Sequence, residues 1–183
     1  FKKEKPNSDV FHIHFLSTNW LDDRLPKEHE IFHSNIRKGK NLLEYIKNNP
    51  HKRLKIITLV REPVIRNISD FFQNWASRYD AIEDVDLTEL TKVLEEDSYE
   101  YVLNWFESEF NDYLKIDFYA YEFNKERGYS IYKFQNFDIL CIKLEKLKTV
   151  SKTALKKYVK QDIALTYANS SEDKAGNQLY KDI

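Results

Sequence analysis

Arg61, Pro63 and Ser69 are spaced like residues that hold an anion beside a β-sheet. Arg61 follows the apolar residues 56–60, whose β-branched members and lack of polar alternation predict a strand buried on both faces. Pro63 suits the first turn of a helix, where its missing N–H is no loss. Open α/β sheets bind anions outside the carboxyl ends of their strands, near the positive ends of the following helices. The stretch therefore predicts an anion site formed by Arg61 and Ser69.

Two histidines near the start of the sequence form a second candidate site. His12 and His14 alternate with apolar residues over residues 10–16, so the strand predicted there would carry both imidazoles on one face. An imidazole with an ordinary pKa of about 6.5 can act as a general base. The pair could instead be structural, bonding loop carbonyls, or could bind a metal, although the sequence offers no evident third ligand. We take His14 as the first candidate for a base and His12 as the second.

The elements that must position these residues alternate between strand and helix. After the strand at residues 10–16, residues 35–48 show a helical pattern that stops before Pro50. The strand at residues 56–60 and a helix from Pro63 follow, which predicts a βαβ unit with parallel strands. The helix from Pro63 should pack on the sheet through one apolar stripe: Val64, Ile65, Ile68, Phe71, Phe72 and Trp75.

The second half of the chain predicts a long helix and a hairpin. Residues 87–110 have an amphipathic helical pattern, and residues 152–160 form a basic helical piece. Residues 117–121 alternate weakly, residues 124–128 are turn-like and residues 128–134 read as a strand, which predicts a hairpin at the sheet edge. Residues 138–144 then predict the last core strand. Cys141, in that last strand, is most simply a small buried hydrophobe. The whole pattern predicts the α/β class, with a mainly parallel sheet flanked by helices.

The amino-acid composition limits the classes of protein to which the chain can belong. With 183 residues, 42% hydrophobic and 15% aromatic, the chain can bury a core as one domain spanning residues 1–183 and is not disordered. A net charge of −1 argues against a nucleic-acid partner, and no apolar run is long enough for a transmembrane segment. The single Cys141 excludes an internal disulfide and fits a reducing compartment, so we predict a cytoplasmic protein.

Charge is unevenly distributed along the chain. Residues 1–66 contain 14 Lys and Arg against 8 Asp and Glu, whereas residues 67–183 contain 15 against 22. A basic N-terminal half suits a polyanionic nucleotide, although most of these lysines are expected simply to solvate the surface.

The chain resembles the sulfotransferase superfamily. Arg61, Pro63 and Ser69, with the aromatic pair after the serine, are similar to the segment in which that family holds the 3′-phosphate of the sulfuryl donor PAPS. The wider wording, HIHFLS at 12–17, WFESEF at 105–110 and GYSIY at 128–132, resembles bacterial sulfotransferase-like proteins of capsular polysaccharide synthesis. The resemblance covers most of the chain, but only the spacing from arginine to serine carries chemistry.

The resemblance implies a fold, a reaction and roles for residues. The fold would be a three-layer α/β domain of the P-loop-like sulfotransferase type. The reaction would transfer a sulfuryl group from PAPS to a hydroxyl of a saccharide, with PAP as product and no metal. Arg61 and Ser69 would bind the donor, and His14 would take the proton of the acceptor hydroxyl. Glu145, in KLEKL at 143–147, would close the nucleotide-binding core.

One part of the family pattern is missing from the sequence. Sulfotransferases hold the 5′-phosphosulfate on a Gly-rich loop that contains Lys and Ser or Thr, and Gly39 in IRKGKNLL is the nearest approach to such a loop. We therefore expect a first strand and this loop to precede Phe1.

Two alternative functions remain open from the sequence. A non-catalytic polysaccharide-synthesis or assembly protein could keep the fold and some nucleotide affinity. A P-loop kinase would need a full GxxxxGKS/T loop and an acidic ligand for Mg²⁺ at a strand end, and the sequence shows neither.

Overall fold

The local sequence patterns decide most of the regular elements. A computed structural model describes residues 10–17, 30–73, 88, 91–92, 95 and 100–163. The chain divides into two compact units. The first comprises the described residues within Phe1–Leu54, Trp105–Glu122 and Phe134–Phe137, and the second those within Lys55–Asn104, Phe123–Lys133 and Asp138–Ile183. The prediction of a single domain over the chain stays a prediction.

A three-stranded mixed sheet is the centre of the described α/β structure. Its strands are β1 (Leu54–Val60), β2 (Tyr129–Lys133) and β3 (Phe137–Lys143), in the order β1-β3-β2. β2 and β3 form an antiparallel hairpin with Tyr129 opposite Ile142 and Lys133 opposite Asp138. Since the sheet is mixed, β1 runs parallel to β3. The predicted α/β class, the strand before Arg61 and the strands predicted at residues 128–134 and 138–144 are confirmed, whereas residues 117–121 form no strand.

Two predicted helix boundaries are confirmed, whereas the helices predicted from residues 35 and 152 begin at Glu30 and Leu147. Pro63 begins its helix as expected, and the helix before β1 stops ahead of Pro50, where the preceding residue is disfavoured from helical geometry. The helical elements within the described residues are α1 (Glu30–Asn48), α2 (Pro63–Gln73), α3 (Glu100–Leu103), a π-helical turn (Glu107–Asn111), α4 (Asp112–Leu114), a 3-10 turn (Leu144–Lys146) and α5 (Leu147–Val159).

The predicted strand at residues 10–16 does not form. Residues 10–17 are irregular, although described throughout. The alternation of histidine and apolar residues looked like a strand, but a strand needs a partner for its backbone groups. Here the N–H groups of Leu16 and Ser17 are bonded to the carboxylate of Glu109 instead. The predicted βαβ unit that used this strand is therefore wrong for the described chain.

The core of the second unit lies between the hairpin and α5. Six buried residues form it: Tyr129, Leu140, Ile142, Ala154, Leu155 and Tyr158. α5 packs its buried side on the hairpin, and its lysines are exposed. Cys141 is 1% exposed, which confirms it as a small buried residue.

Aromatic rings form the core of the first unit. Phe106 stacks on Phe118 with ring centroids 4.4 Å apart, and Phe110 meets the same ring edge-on at 5.2 Å. Ile116, two residues before Phe118 in the sequence, is also buried, with 3% of its surface exposed. Burial of rings this large is a main source of stability for so small a body.

Two burial predictions around Arg61 are wrong. β1 is an edge strand of the described sheet, and Ile57 and Leu59 are 37% and 48% exposed, so the strand is not buried on both faces. On α2, Val64 and Ile65 are likewise exposed, whereas Asn67 is buried. The reason is positional: an apolar run shows that a strand can be covered on two faces, but only neighbouring elements decide whether it is. Trp75, the last member of the predicted stripe, lies outside the described residues.

No helix among the described residues is both long and apolar enough to cross a membrane.

Candidate functional site

Arg61 lies where the sequence placed it, between a strand end and a helix start. β1 ends at Val60 and α2 begins at Pro63, so Arg61 occupies the short junction at the carboxyl end of the strand. Its side chain is half-buried. A guanidinium in this position has a planar set of N–H donors that can bind the oxygens of a phosphate in pairs.

The first N–H groups of α2 already bind an anion that belongs to the protein. The carboxylate of Glu62 accepts hydrogen bonds from the N–H of Val64 at 3.2 Å and of Ile65 at 2.8 Å. A carboxylate at this place satisfies donors that lack a partner inside the helix and complements the helix dipole. These N–H groups are therefore already occupied, whereas the sequence predicted that they would be available to an external anion. An external anion near Arg61 would bind through side chains.

Glu145 also lies at this junction. Its Oε1 accepts a hydrogen bond of 3.1 Å from the N–H of Glu62. Burial acts to raise the pKa of Glu145. Hydrogen bonds from the N–H groups of Glu62 and of Glu145 itself, with the charges of Lys143 and Arg61, outweigh burial and lower that pKa. Glu145 is thus an ionised carboxylate in the field of Arg61.

Ser69 lies farther along α2. It is six residues beyond Pro63, which corresponds to about 9 Å of helix. The side chain is half-buried, and the next residue, Asp70, pairs with Arg66 at 3.7 Å. The junction residues Arg61, Glu62 and Glu145 are therefore the compact part of this site, with Ser69 on the same helix.

The two histidines do lie together. Their ring centroids are 4.9 Å apart, and both side chains are exposed on the irregular segment 10–17. Partial burial lowers the pKa of His14, and the charges of His12 and Lys38 lower it further. His14 is therefore neutral at neutral pH, which is the form that can accept a proton.

Glu109 is a buried acid that the sequence reasoning missed. It is 1% exposed, and its Oε2 accepts hydrogen bonds from the N–H of Leu16 and, at 3.1 Å, from the N–H of Ser17. Burial raises the pKa of Glu109, the two backbone hydrogen bonds lower it, and Asp112 raises it further; burial prevails. The signal was present in WFESEF, where Glu109 falls three residues after Phe106 and so shares its apolar face.

Gly39 has a packing role in the structure. It lies inside α1, and a Cβ placed on it would stand 2.7 Å from the carbonyl oxygen of Phe15. Contacts that short are not tolerated between such atoms, so the glycine permits the segment to lie directly on the helix. A phosphate-binding loop requires backbone outside a regular helix, so Gly39 does not form one.

The candidate residues fall in both units. His12 and His14 belong to the first unit, while Arg61, Ser69 and Glu145 belong to the second. Within the described residues, no three His, Cys, Asp or Glu side chains are grouped so that they could hold a metal ion.

Comparisons with known proteins give no relative. No protein-family model, no curated protein and no solved structure matches the chain.

Proposed function

We propose that the protein is a PAPS-dependent sulfotransferase that acts on a saccharide hydroxyl, in a bacterial capsular or surface polysaccharide. In this proposal the described α/β structure is part of a three-layer, mainly parallel, P-loop-like sulfotransferase fold. The enzyme would act in the cytoplasm, which fits a chain with one cysteine, itself buried.

The observation that carries the proposal is the position of Arg61. A strand end delivers its guanidinium directly ahead of a helix, and Ser69 lies on that helix. Because Glu62 occupies the helix N–H groups, we assign the 3′-phosphate of PAPS to the side chains of Arg61 and Ser69. Glu145, bonded to the N–H of Glu62, would hold the backbone of the junction in place.

The chemical step needs one proton acceptor from the protein. The acceptor hydroxyl oxygen attacks sulfur and forms a new S–O bond, while the bond from sulfur to the bridging phosphate oxygen breaks and PAP leaves. The hydroxyl proton passes to His14, whose lowered pKa keeps the ring neutral before the step. His12, 4.9 Å away, is the second candidate for this role.

A different observation favours a second candidate function. Arg61 lies in the field of Glu145, and Glu62 already caps α2, so carboxylates of the protein itself interact with Arg61 and with the helix end. A structural role for Arg61 would suit a non-catalytic polysaccharide-synthesis or assembly protein that retains the fold.

Calorimetric titration with PAP tests whether Arg61 and Ser69 form the donor site that the sulfotransferase proposal requires. We expect intact protein to bind PAP and Arg61→Ala and Ser69→Ala each to weaken binding about ten- to a hundredfold, since a hydrogen bond to a charged group is worth roughly 1.5–3 kcal/mol. Arg66→Ala is the matched control, because Arg66 lies on the same helix but pairs with Asp70. It should bind PAP as the intact protein does.

Two other results of the titration would contradict the proposal. An intact chain that does not bind PAP would sink the sulfotransferase proposal and leave the assembly protein as the better account. Binding that survives both substitutions would move the donor site away from β1 and α2.

A further inference from the structure

The segment that carries the two histidines is fixed at its carboxyl end by Glu109. Leu16 and Ser17 are 7% and 6% exposed, whereas His12 and His14 are exposed to solvent. Both buried N–H groups donate to the same carboxylate oxygen of Glu109. Residues 10–17 form no regular structure, so these bonds replace the ladder that a strand would have supplied.

Glu109 is buried although burial of its side chain is unfavourable in free energy. Removing a carboxylate from water is unfavourable unless its oxygens find partners, and Oε1 of Glu109 has none among the described residues. Glu109 also lies in the π-helical turn Glu107–Asn111, a geometry that is rare and often re-aims a side chain at functional sites. An apolar side chain at this position would avoid the cost of burying a carboxylate. It would, however, leave the Leu16 and Ser17 N–H groups unpaired.

Helix α1 contacts the same segment from another side. The Phe11 ring lies 5.3 Å from the Tyr45 ring, and the Phe15 carbonyl lies against Gly39. The segment thus runs antiparallel to α1, which brings Lys38, the neighbour of Gly39, into the environment of His14.

From these contacts we infer that Glu109 is a positioning residue: it holds the Leu16–Ser17 backbone so that His14 stays beside His12 and Lys38. The inference rests on the proposed function in one respect, namely that His14 is the base of the reaction. The mechanical part, that Glu109 sets the surroundings of His14, is independent of it.

NMR titration of the His14 ring in the full chain measures the mechanical part directly. Glu109→Leu has a similar volume but no acceptor, so the segment should detach, and the pKa of His14 should rise toward its ordinary value of 6.5 as the ring leaves Lys38 and gains water. Glu109→Gln keeps a carbonyl oxygen for both N–H groups, and the pKa should stay lowered. The groups that face His14, His12 on its own segment and Lys38 on α1, are unchanged in both variants.

Two further variants make the result specific. Glu107→Gln, on the same turn but exposed and bonded to Asn111, should leave the His14 titration unchanged. Gly39→Ala places a methyl group against the Phe15 carbonyl, so the segment should move away from α1. The pKa of His14 should then rise.

The outcomes distinguish this inference from the proposed function. A folded Glu109→Leu protein in which His14 titrates as before overturns the positioning role, and so does a Glu109→Gln protein that shifts as much as Glu109→Leu. If Glu109→Leu does not fold, Glu109→Gln still tests the inference, because a His14 pKa that rises in this variant and not in Glu107→Gln would overturn it. Failure to bind PAP would remove the sulfotransferase proposal and leave these titrations unaffected.

Discussion

The protonation of His14 is set by burial, by the nearby His12 and by Lys38, which is distant in sequence. Partial burial, the neighbouring His12 ring and the ammonium of Lys38 all disfavour the imidazolium form and lower the pKa of His14. Lys38 lies on α1, more than twenty residues away along the chain, so only the packing of residues 10–17 on that helix brings it close. A general base profits from this arrangement, because it must be neutral when substrate binds.

We expect Lys38→Ala to raise the pKa of His14. Removing a positive neighbour stabilises the imidazolium, so a larger fraction of His14 is protonated at slightly acidic pH. If His14 is the base, the acidic limb of the kcat/KM profile should move to higher pH by the same amount. NMR titration and the pH profile measure the two effects.

Lys40→Ala supplies the control for this substitution. Lys40 is exposed on the same helix, and its charge does not contribute to the lowered pKa of His14. Equal shifts in the two variants would mean that general charge, and not the position of Lys38, governs His14.

The protonation of Cys141 is set by burial alone. It is fully buried in β3, and burial raises its pKa to about 12. The thiol is therefore protonated at neutral pH and is a poor nucleophile. Its prediction as a small hydrophobe needed only the apolar run around it.

Among the elements, α5 contacts the sheet through a hydroxyl as well as through its apolar face. Tyr158 lies at the end of α5, and its hydroxyl is within hydrogen-bond distance of the carbonyl oxygens of Ile56 on β1 and Asp138 on β3. Burial raises the pKa of Tyr158 and the charge of Asp138 raises it further, so the hydroxyl stays protonated and can donate. This contact ties the helix to the two parallel strands whose ends precede Arg61 and Glu145.

Tyr158→Phe should destabilise the protein by about 1–2 kcal/mol. The substitution keeps the ring in the core but leaves a part-buried carbonyl without its donor. Chemical denaturation measures the free energy of unfolding.

Tyr129→Phe is the matched control, since Tyr129 is in the same core and the described structure gives its hydroxyl no hydrogen bond. An equal loss in both variants would show that the hydroxyl of Tyr158 does not hold α5 to the sheet.

At the scale of the whole molecule, the proposed donor site should couple nucleotide binding to stability. A ligand at a hundred times its dissociation constant stabilises the folded state by about 2.7 kcal/mol. For a chain of this size, that corresponds to a rise in Tm of roughly 5–10 °C. We expect PAP to give this rise when it is present at that excess, and thermal denaturation with and without PAP measures it.

Two controls sharpen the thermal experiment. Adenosine 5′-monophosphate lacks the 3′-phosphate and should stabilise less, and Arg61→Ala should reduce the shift caused by PAP. Equal stabilisation by both nucleotides would contradict a 3′-phosphate site at Arg61.

The sequence by itself determined the local elements of this protein. Four features depend on neighbours within a few residues, and the structure confirms each: the strand before Arg61, the helix stop before Pro50, the helix start at Pro63 and the strands predicted at residues 128–134 and 138–144. It also determined that Cys141 is buried, because Ile139, Leu140 and Ile142 beside it in the strand are apolar. The placement of Arg61 at a strand end followed from the same local rules.

Only the tertiary structure decided which faces are covered and which groups meet. The alternation at residues 10–16 resembled a strand, but whether a strand forms depends on a pairing partner, and Glu109 takes the N–H groups of Leu16 and Ser17 instead. The exposure of Ile57, the carboxylate of Glu62 on α2 and the approach of Glu145 to Glu62 across 83 residues are likewise decided by packing. Local periodicity specifies the backbone of each element, whereas the chemistry of the candidate sites arises from contacts between residues far apart in the chain.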